Sequence, residues 1–319
     1  MAANHRLDYI DTLKGIAIIL VVLGHLIQFF WCPENYRGNI AFNYIYSFHM
    51  GFFMMLSGFT VKTFHDSYQE LAFVIFKRSI NLLLPFFCWA VIKWQVFHGP
   101  NIIAVMQNTE LGLWFLHALF FIYSIFIIAM YPMKGKGKIL KYAWLLIVCM
   151  TIRKAFDEIS YVWSTVKIAT YFSSFCLGYI LADNKEWLFK KEQVKYFGFA
   201  LPIFLILAYF SFSSEINLPA FITKFQMSLF YQLIIVLMAA LPLIGVSLYF
   251  PKFFKIAGFG NIGKTTLGIY AIHPFLIGWL KHLPLGIRHF LSETIGGGDF
   301  CVLLCSYNVC VNCKMLRKE

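Results

Sequence analysis

The sequence predicts an all-α protein that crosses a membrane many times, and three observations carry that prediction. Only 13% of the 319 residues are charged, while 60% are hydrophobic and 19% aromatic; a soluble domain carries about 25% charged residues. Apolar stretches of about twenty residues recur along the chain, most of them long enough to cross a ~30 Å hydrocarbon layer as a helix. Lysine and arginine gather in the short connections between those stretches, which is how a positive-inside bias looks. A mean hydropathy of +0.70 agrees. Inside lipid only helices and closed barrels satisfy their backbone, and these stretches are too long and too uniformly apolar for barrel strands.

Taken in order, ten helices are expected, at residues 15–31, 42–62, 79–98, 111–131, 140–153, 164–182, 196–214, 226–249, 265–281 and 299–316. The fifth is short and reads as tilted or partly interfacial. The first follows a head of mixed charge and lacks a small-residue cleavage site, so no cleavable signal peptide is expected. With the N-terminus in the cytoplasm, the inner segments hold 19 of the 27 basic residues, from Arg6 and Lys14 to Lys314, Arg317 and Lys318. The opposite orientation would put most of them outside, so the expected arrangement is N-in, C-in. The net charge of +12 is accounted for by this distribution, and no nucleic-acid partner is expected. No polar connection exceeds loop size, so residues 1–319 form one expected membrane domain.

Two glycine-rich stretches are set aside. GKGK at Gly135–Lys138 is a basic turn, and GFGNIGK at Gly258–Lys264 follows no strand, as a dinucleotide fingerprint must. Of the eight cysteines, Cys32, Cys88, Cys149 and Cys176 are scattered. Cys301, Cys305, Cys310 and Cys313 bunch near the end; their irregular spacing in an apolar stretch favours a divergent last span over a zinc site. No metal is expected.

The residues that can carry chemistry are the ionisable ones set deep in apolar runs. His25 lies ten residues beyond Gly15, or ~15 Å along a helix. His49 lies seven residues beyond Phe42, or ~10 Å down an antiparallel neighbour. The two can therefore share a depth, and imidazole exchanges protons near neutral pH. A single such histidine is as readily a hydrogen-bonded packing residue. Lys14 stands at the entrance, eleven residues before His25, with Asp8 and Asp11 just ahead of the helix. Lys77 and Arg78 form a cationic pair at the expected mouth of the third helix. They suit either a phosphate contact or a positive-inside anchor. Trp114 and His117 fall at the outer end of the fourth helix, where tryptophan serves as a belt residue or stacks on sugar rings. His273 directly precedes Pro274, which weakens the helix and can free backbone groups to line a cavity. Gly51, Ser57 and Gly58 let another helix or a ligand come close.

Five pieces carry a resemblance: RLDYIDTLKGIAIILVVLGH at 6–25, SFHMGFFMMLSGF at 47–59, FKRSINLLLPFF at 76–87, LWFLHALFF at 113–121 and LGIYAIHPF at 267–275. In that order they resemble the acyltransferase 3 family of integral-membrane acyltransferases, near its fucose 4-O-acetylase and surface-polysaccharide O-acetyltransferase branch. The resemblance covers residues 6 to about 280 and leaves 295–319 as a divergent final span. It implies a multi-pass protein of the cell membrane that transfers an acyl group, usually acetyl from cytoplasmic acetyl-CoA, to a hydroxyl of a cell-surface or lipid-linked sugar. Carried over by position, His25 is the essential first-helix histidine, acting as general base or acyl relay. Lys14 stands where many members have arginine, keeping the charge without the bidentate fork. Arg78 falls in the family's basic motif, which implies a role near the cofactor phosphates, with Lys77 beside it as an expected cofactor contact; His49 is expected to assist catalysis. Trp114, His117 and His273 are the expected substrate contacts. A reading of another class is a transporter or flippase for the polysaccharide or its lipid-linked precursor, whose intramembrane histidines would relay protons.

Overall fold

The computed structural model describes residues 8–33, 36–63, 67–108, 113–157, 165–212 and 229–280. Arg6, the expected tenth helix and the four-cysteine tail lie outside the described residues. Among those described there are helices and no strands, so the all-α expectation holds. Among the described residues six helical segments are long and apolar enough to cross a membrane: Asp8–Trp31, Tyr68–Val96, Trp114–Met133, Thr165–Asp183, Lys191–Ser211 and Leu229–Tyr249. Fourteen α-helices are labelled in chain order. The first seven are α1 (Asp8–Leu26), α2 (Ile40–Phe59), α3 (Tyr68–Phe97), α4 (Ile102–Gln107), α5 (Trp114–Met130), α6 (Lys138–Asp157) and α7 (Thr165–Asp183). The rest are α8 (Lys185–Leu188), α9 (Lys191–Val194), α10 (Ala200–Phe212), α11 (Leu229–Tyr249), α12 (Pro251–Ile256), α13 (Phe259–Lys264) and α14 (Thr266–Leu280).

Two helices start earlier than the hydropathy suggests. α1 begins at Asp8, so Asp8, Asp11 and Lys14 lie within its first two turns rather than ahead of it. Acidic groups there face the positive end of the helix dipole and favour an early start. α3 begins at Tyr68, ten residues before Arg78, so the Lys77–Arg78 pair sits well inside the helix and not at its mouth. The cause is local: the Ser67 side chain accepts a hydrogen bond from the Glu70 N–H at 3.1 Å, the first half of a Ser-x-x-Glu capping box. Thirty residues make α3 about 45 Å long, longer than the hydrocarbon layer is thick.

The chain divides into two compact units, 1–53 with 189–319, and 54–188, the boundary falling within α2. In the first unit α1 is joined to α13 by backbone-to-backbone contact. A Cβ on Gly15 would meet the Phe259 carbonyl, and one on Gly263 would meet the Asp11 carbonyl. Gly258, at φ 73°, opens α13. The GFGNIGK stretch is thus a packing device, used for close approach of helices. The start of α2 meets the turn that follows α1 through Ile27, Phe42 and Ile45, and Tyr44 and Phe48 set their rings against Phe204 of α10. α10 and α11 are tied by the Tyr231 hydroxyl, which donates to the Leu207 carbonyl at 2.6 Å.

The second unit uses the same glycine device. A Cβ on Gly58 would meet the Phe175 carbonyl and one on Gly178 the Met55 carbonyl, so the end of α2 lies directly on α7. α5 packs on α7 through Phe126, whose ring contacts Phe175 and Tyr179 at 5.1 and 5.3 Å. The indole Trp144 Nε1–H of α6 donates to the Ala129 carbonyl of α5 at 2.8 Å. Between lipid-embedded helices there is little hydrophobic drive, so such close packing and interhelical hydrogen bonds supply the cohesion.

Candidate active site

The first unit gathers histidines from three helices. His25 comes from the last turn of α1, His49 from the middle of α2 and His273 from α14. His25 Nδ1 and His273 Nε2 are 2.7 Å apart. The two rings lie within 16° of coplanar with centroids 4.8 Å apart. That separation is close to the nitrogen–nitrogen distance plus one ring radius at either end, so the rings meet edge to edge along a hydrogen bond rather than face to face. Residues 248 positions apart are brought together in this way.

Each partner is fixed by its own helix. His273 Nδ1 lies 3.1 Å from the Ile269 carbonyl, one turn back on α14. Pro274 has no N–H, so the helix loses its bond to the Tyr270 carbonyl beside this point. Tyr270, His273 and Ile277 form the buried face of α14. His49 makes the equivalent contact on α2, its Nδ1 2.8 Å from the Ile45 carbonyl. His49 and His273 are buried, whereas His25 is only part-buried.

Tyr46 joins the group. Its ring stands edge-on to His25 at 6.3 Å and tilts against His49 at 4.6 Å. Its hydroxyl donates to Gln28 Oε1 at 2.9 Å. A Cβ on Gly24 would come within 2.7 Å of the Tyr46 ring, so this packing needs a glycine beside His25. Tyr46 and Gln28 were missed in the sequence. The available signal was the spacing of Tyr46 three residues before His49, which puts both on one helix face. Directly after His25 the helix loosens into a π-turn, Ile27–Trp31, closed by the Cys32 N–H on the Ile27 carbonyl at 3.0 Å. Such turns are concentrated at functional sites.

Lys14 is on the same helix as His25. Eleven residues are just over three whole turns, so the two share a face of α1 about 16 Å apart. Lys14 is part-buried, near the level where Gly15 meets α13.

The remaining sequence candidates belong to the second unit. Lys77 is exposed and Arg78 part-buried on α3. The Arg78 guanidinium lies over the Tyr123 ring of α5 at 4.7 Å. Its Nε is buried without a hydrogen-bond partner among the described residues. Trp114 is stacked with Tyr171 at 5.8 Å, and the Lys167 ammonium lies 5.2 Å over the indole. His117 is buried, its ring against Phe121 and Phe86 at 4.8 and 5.4 Å. Among the described residues no group of three or more His, Cys, Asp or Glu side chains is placed to hold a metal.

The chain thus combines membrane-length helices with two imidazoles paired between α1 and α14. Residues 7–305 match the model of the acyltransferase 3 family, described as an acyltransferase domain. The chain therefore belongs to that family. It is 36% identical over 94 residues to nodulation protein NolL of Sinorhizobium fredii (strain NBRC 101917 / NGR234), covering 28% of this chain and 25% of the relative. It is 34% identical over 105 residues to nodulation protein NolL of Mesorhizobium japonicum (strain LMG 29417 / CECT 9101 / MAFF 303099), covering 29% and 25%. The chain thus spans about a quarter of the length of these curated relatives. No solved structure matches it significantly.

Proposed function

We propose that the protein is a membrane O-acyltransferase that moves an acetyl group from cytoplasmic acetyl-CoA to a hydroxyl of a cell-surface or lipid-linked sugar. The family membership supports acyl transfer. The observation that carries the mechanism is the part-buried His25, held at one ring nitrogen by the buried His273. An imidazole so held keeps its other nitrogen for the reaction.

His25 acts as general base. It takes the proton of the sugar hydroxyl as the oxygen attacks the thioester carbonyl. The new C–O bond forms, the C–S bond breaks, and the proton returns from the imidazolium to the departing thiolate. Lys14 stabilises charge on the donor side of α1, and His49 supports the base through Tyr46. Lys77 and Arg78 bind the donor phosphates; the unpartnered buried Nε of Arg78 suits an anionic ligand, since arginine offers a fork of donors. Trp114 and His117 contact the acceptor sugar. The expected ten-span, N-in, C-in arrangement in the cell membrane belongs to the same reading, with residues 1–319 as one acyltransferase domain.

The test is transfer itself. Purified protein in lipid is incubated with acetyl-CoA labelled in the acetyl group and a sugar acceptor. Label should appear on the sugar, and His25→Ala should remove about 10²–10⁴-fold of the rate while the protein still inserts. Normal transfer by His25→Ala would overturn the role of His25. Movement of the sugar across the membrane without label would instead make the protein a transporter.

A further inference from the structure

We infer that His273 is a positioning residue that fixes the tautomer of His25, leaving Nε2 of His25 as the atom that takes the substrate proton. The inference rests on the acyltransferase reading and reassigns His273 from substrate contact to support.

The proton positions follow from which groups can only accept. The Ile269 carbonyl 3.1 Å from His273 Nδ1 has no proton to give, so Nδ1 carries the hydrogen. In a neutral imidazole the other nitrogen is then an acceptor. His273 Nε2 is that acceptor, and the atom 2.7 Å away is His25 Nδ1. His25 Nδ1 must therefore donate, and His25 Nε2 keeps its lone pair. The rings around the pair are those of Phe29, Tyr46 and Tyr270. Among the described residues no carboxylate is paired with either imidazole, and an unpaired buried charge is costly. The neutral pair therefore describes the resting site.

The anchor is helical geometry. Ile269 lies four residues before His273 on α14, so the direction of the first bond is set by the helix and passes unchanged to α1. His25 Nε2 makes no hydrogen bond among the described residues, and the part-buried ring leaves it open to a ligand. Imidazole in water favours the opposite tautomer, with the hydrogen on Nε2, which cannot accept a proton. Without His273, His25 would revert to that form. In serine-protease triads a carboxylate holds the histidine tautomer, and the wrong tautomer costs about 10⁴-fold in rate. Here a neutral imidazole backed by a carbonyl takes that part.

Two measurements on the full chain in lipid test this. In the first, protein made with nitrogen-labelled histidine is studied by NMR, the His25 signals being those lost in His25→Ala. His25 should carry its proton on Nδ1 in the wild type and shift to the Nε2-protonated form in His273→Leu. A wild-type His25 protonated on Nε2 overturns the inference, whatever the enzyme transfers. In the second, His273→Leu should lower kcat at least about 100-fold while KM for acetyl-CoA and for the sugar changes little. His273→Gln, whose side-chain oxygen can accept from His25 Nδ1, should recover at least a tenth of the loss on a logarithmic scale that Leu does not. A raised acceptor KM with kcat retained in His273→Leu, or a glutamine variant no better than leucine, also overturns it. If His25→Ala transfers acetyl normally, the catalytic reading falls, while the NMR result still decides the pairing.

Discussion

The two units handle buried polarity in different ways. In the first, polar groups bond to one another and to carbonyls: His25 to His273, His273 to Ile269, His49 to Ile45 and Tyr46 to Gln28. In the second, the cations nearest the candidate residues rest on rings, Arg78 on Tyr123 and Lys167 on Trp114, while its hydrogen-bonded polar groups gather where α6 begins and α7 ends. A hydrogen bond is directional and assigns a proton to one atom. A cation–π contact holds a charge while leaving its N–H groups to other partners. The first arrangement suits proton transfer and the second suits the holding of charged ligands.

The largest effects should fall on the first group. His25→Ala and His273→Leu are expected to act on kcat, as set out above. Arg78 should behave differently. Arg78→Gln should raise KM for acetyl-CoA about tenfold or more, and Arg78→Lys should recover only part, because an ammonium stacks and forks less well than a guanidinium. Steady-state kinetics with varied donor measure both. If Arg78→Gln lowered kcat with KM unchanged, the contrast between the two groups would collapse.

A second pair of variants sharpens the comparison at the level of packing. Gly263→Val in the first unit and Gly178→Val in the second each put side-chain atoms onto a backbone carbonyl of a neighbouring helix. Backbone yields less than a side chain, so each should cost at least the ~1–3 kcal/mol typical of overpacking, read as a fall in Tm or in yield of folded protein. Equal losses would mean that both glycine seams carry comparable weight. An unchanged Tm for Gly263→Val would remove the explanation given for the GFGNIGK stretch.

Much of this was legible in one dimension. Long apolar runs give the helices away because lipid admits few alternatives, and deep histidines stand out because they are expensive there. The helix starts were harder to see. Hydropathy locates where a segment becomes apolar, whereas α1 and α3 begin where capping and the dipole permit, at Asp8 and at Tyr68. The Ser67-x-x-Glu70 signal was present and would have placed α3 correctly. The His25–His273 bond could not be read at all, since no periodicity links positions so far apart. The positions of His25 and His49 along their helices predict a shared depth on neighbouring helices. That Tyr46 touches both rings depends on packing.

The smallest effect is expected at the α6–α7 ends of the second unit, where polar groups are fully engaged with one another. Tyr142 donates to Asp183 Oδ2 at 2.7 Å and accepts from the Asn184 amide at 2.6 Å. Lys138 donates to the Asp183 carbonyl at 2.8 Å, and its ammonium is 3.7 Å from the Asp183 carboxylate. The lysine side chain is 54% exposed and the aspartate 27%, so the ion pair is screened and contributes little. The Tyr142 bonds are the firmer link. Tyr142→Phe removes both while keeping the ring, and Asp183 retains Lys138. The expected loss is about 1 kcal/mol, a small fall in Tm with kcat and both KM values unchanged. A large drop in transfer without a drop in Tm would instead place this cluster in the reaction and leave the second unit with a proton-directing group of its own.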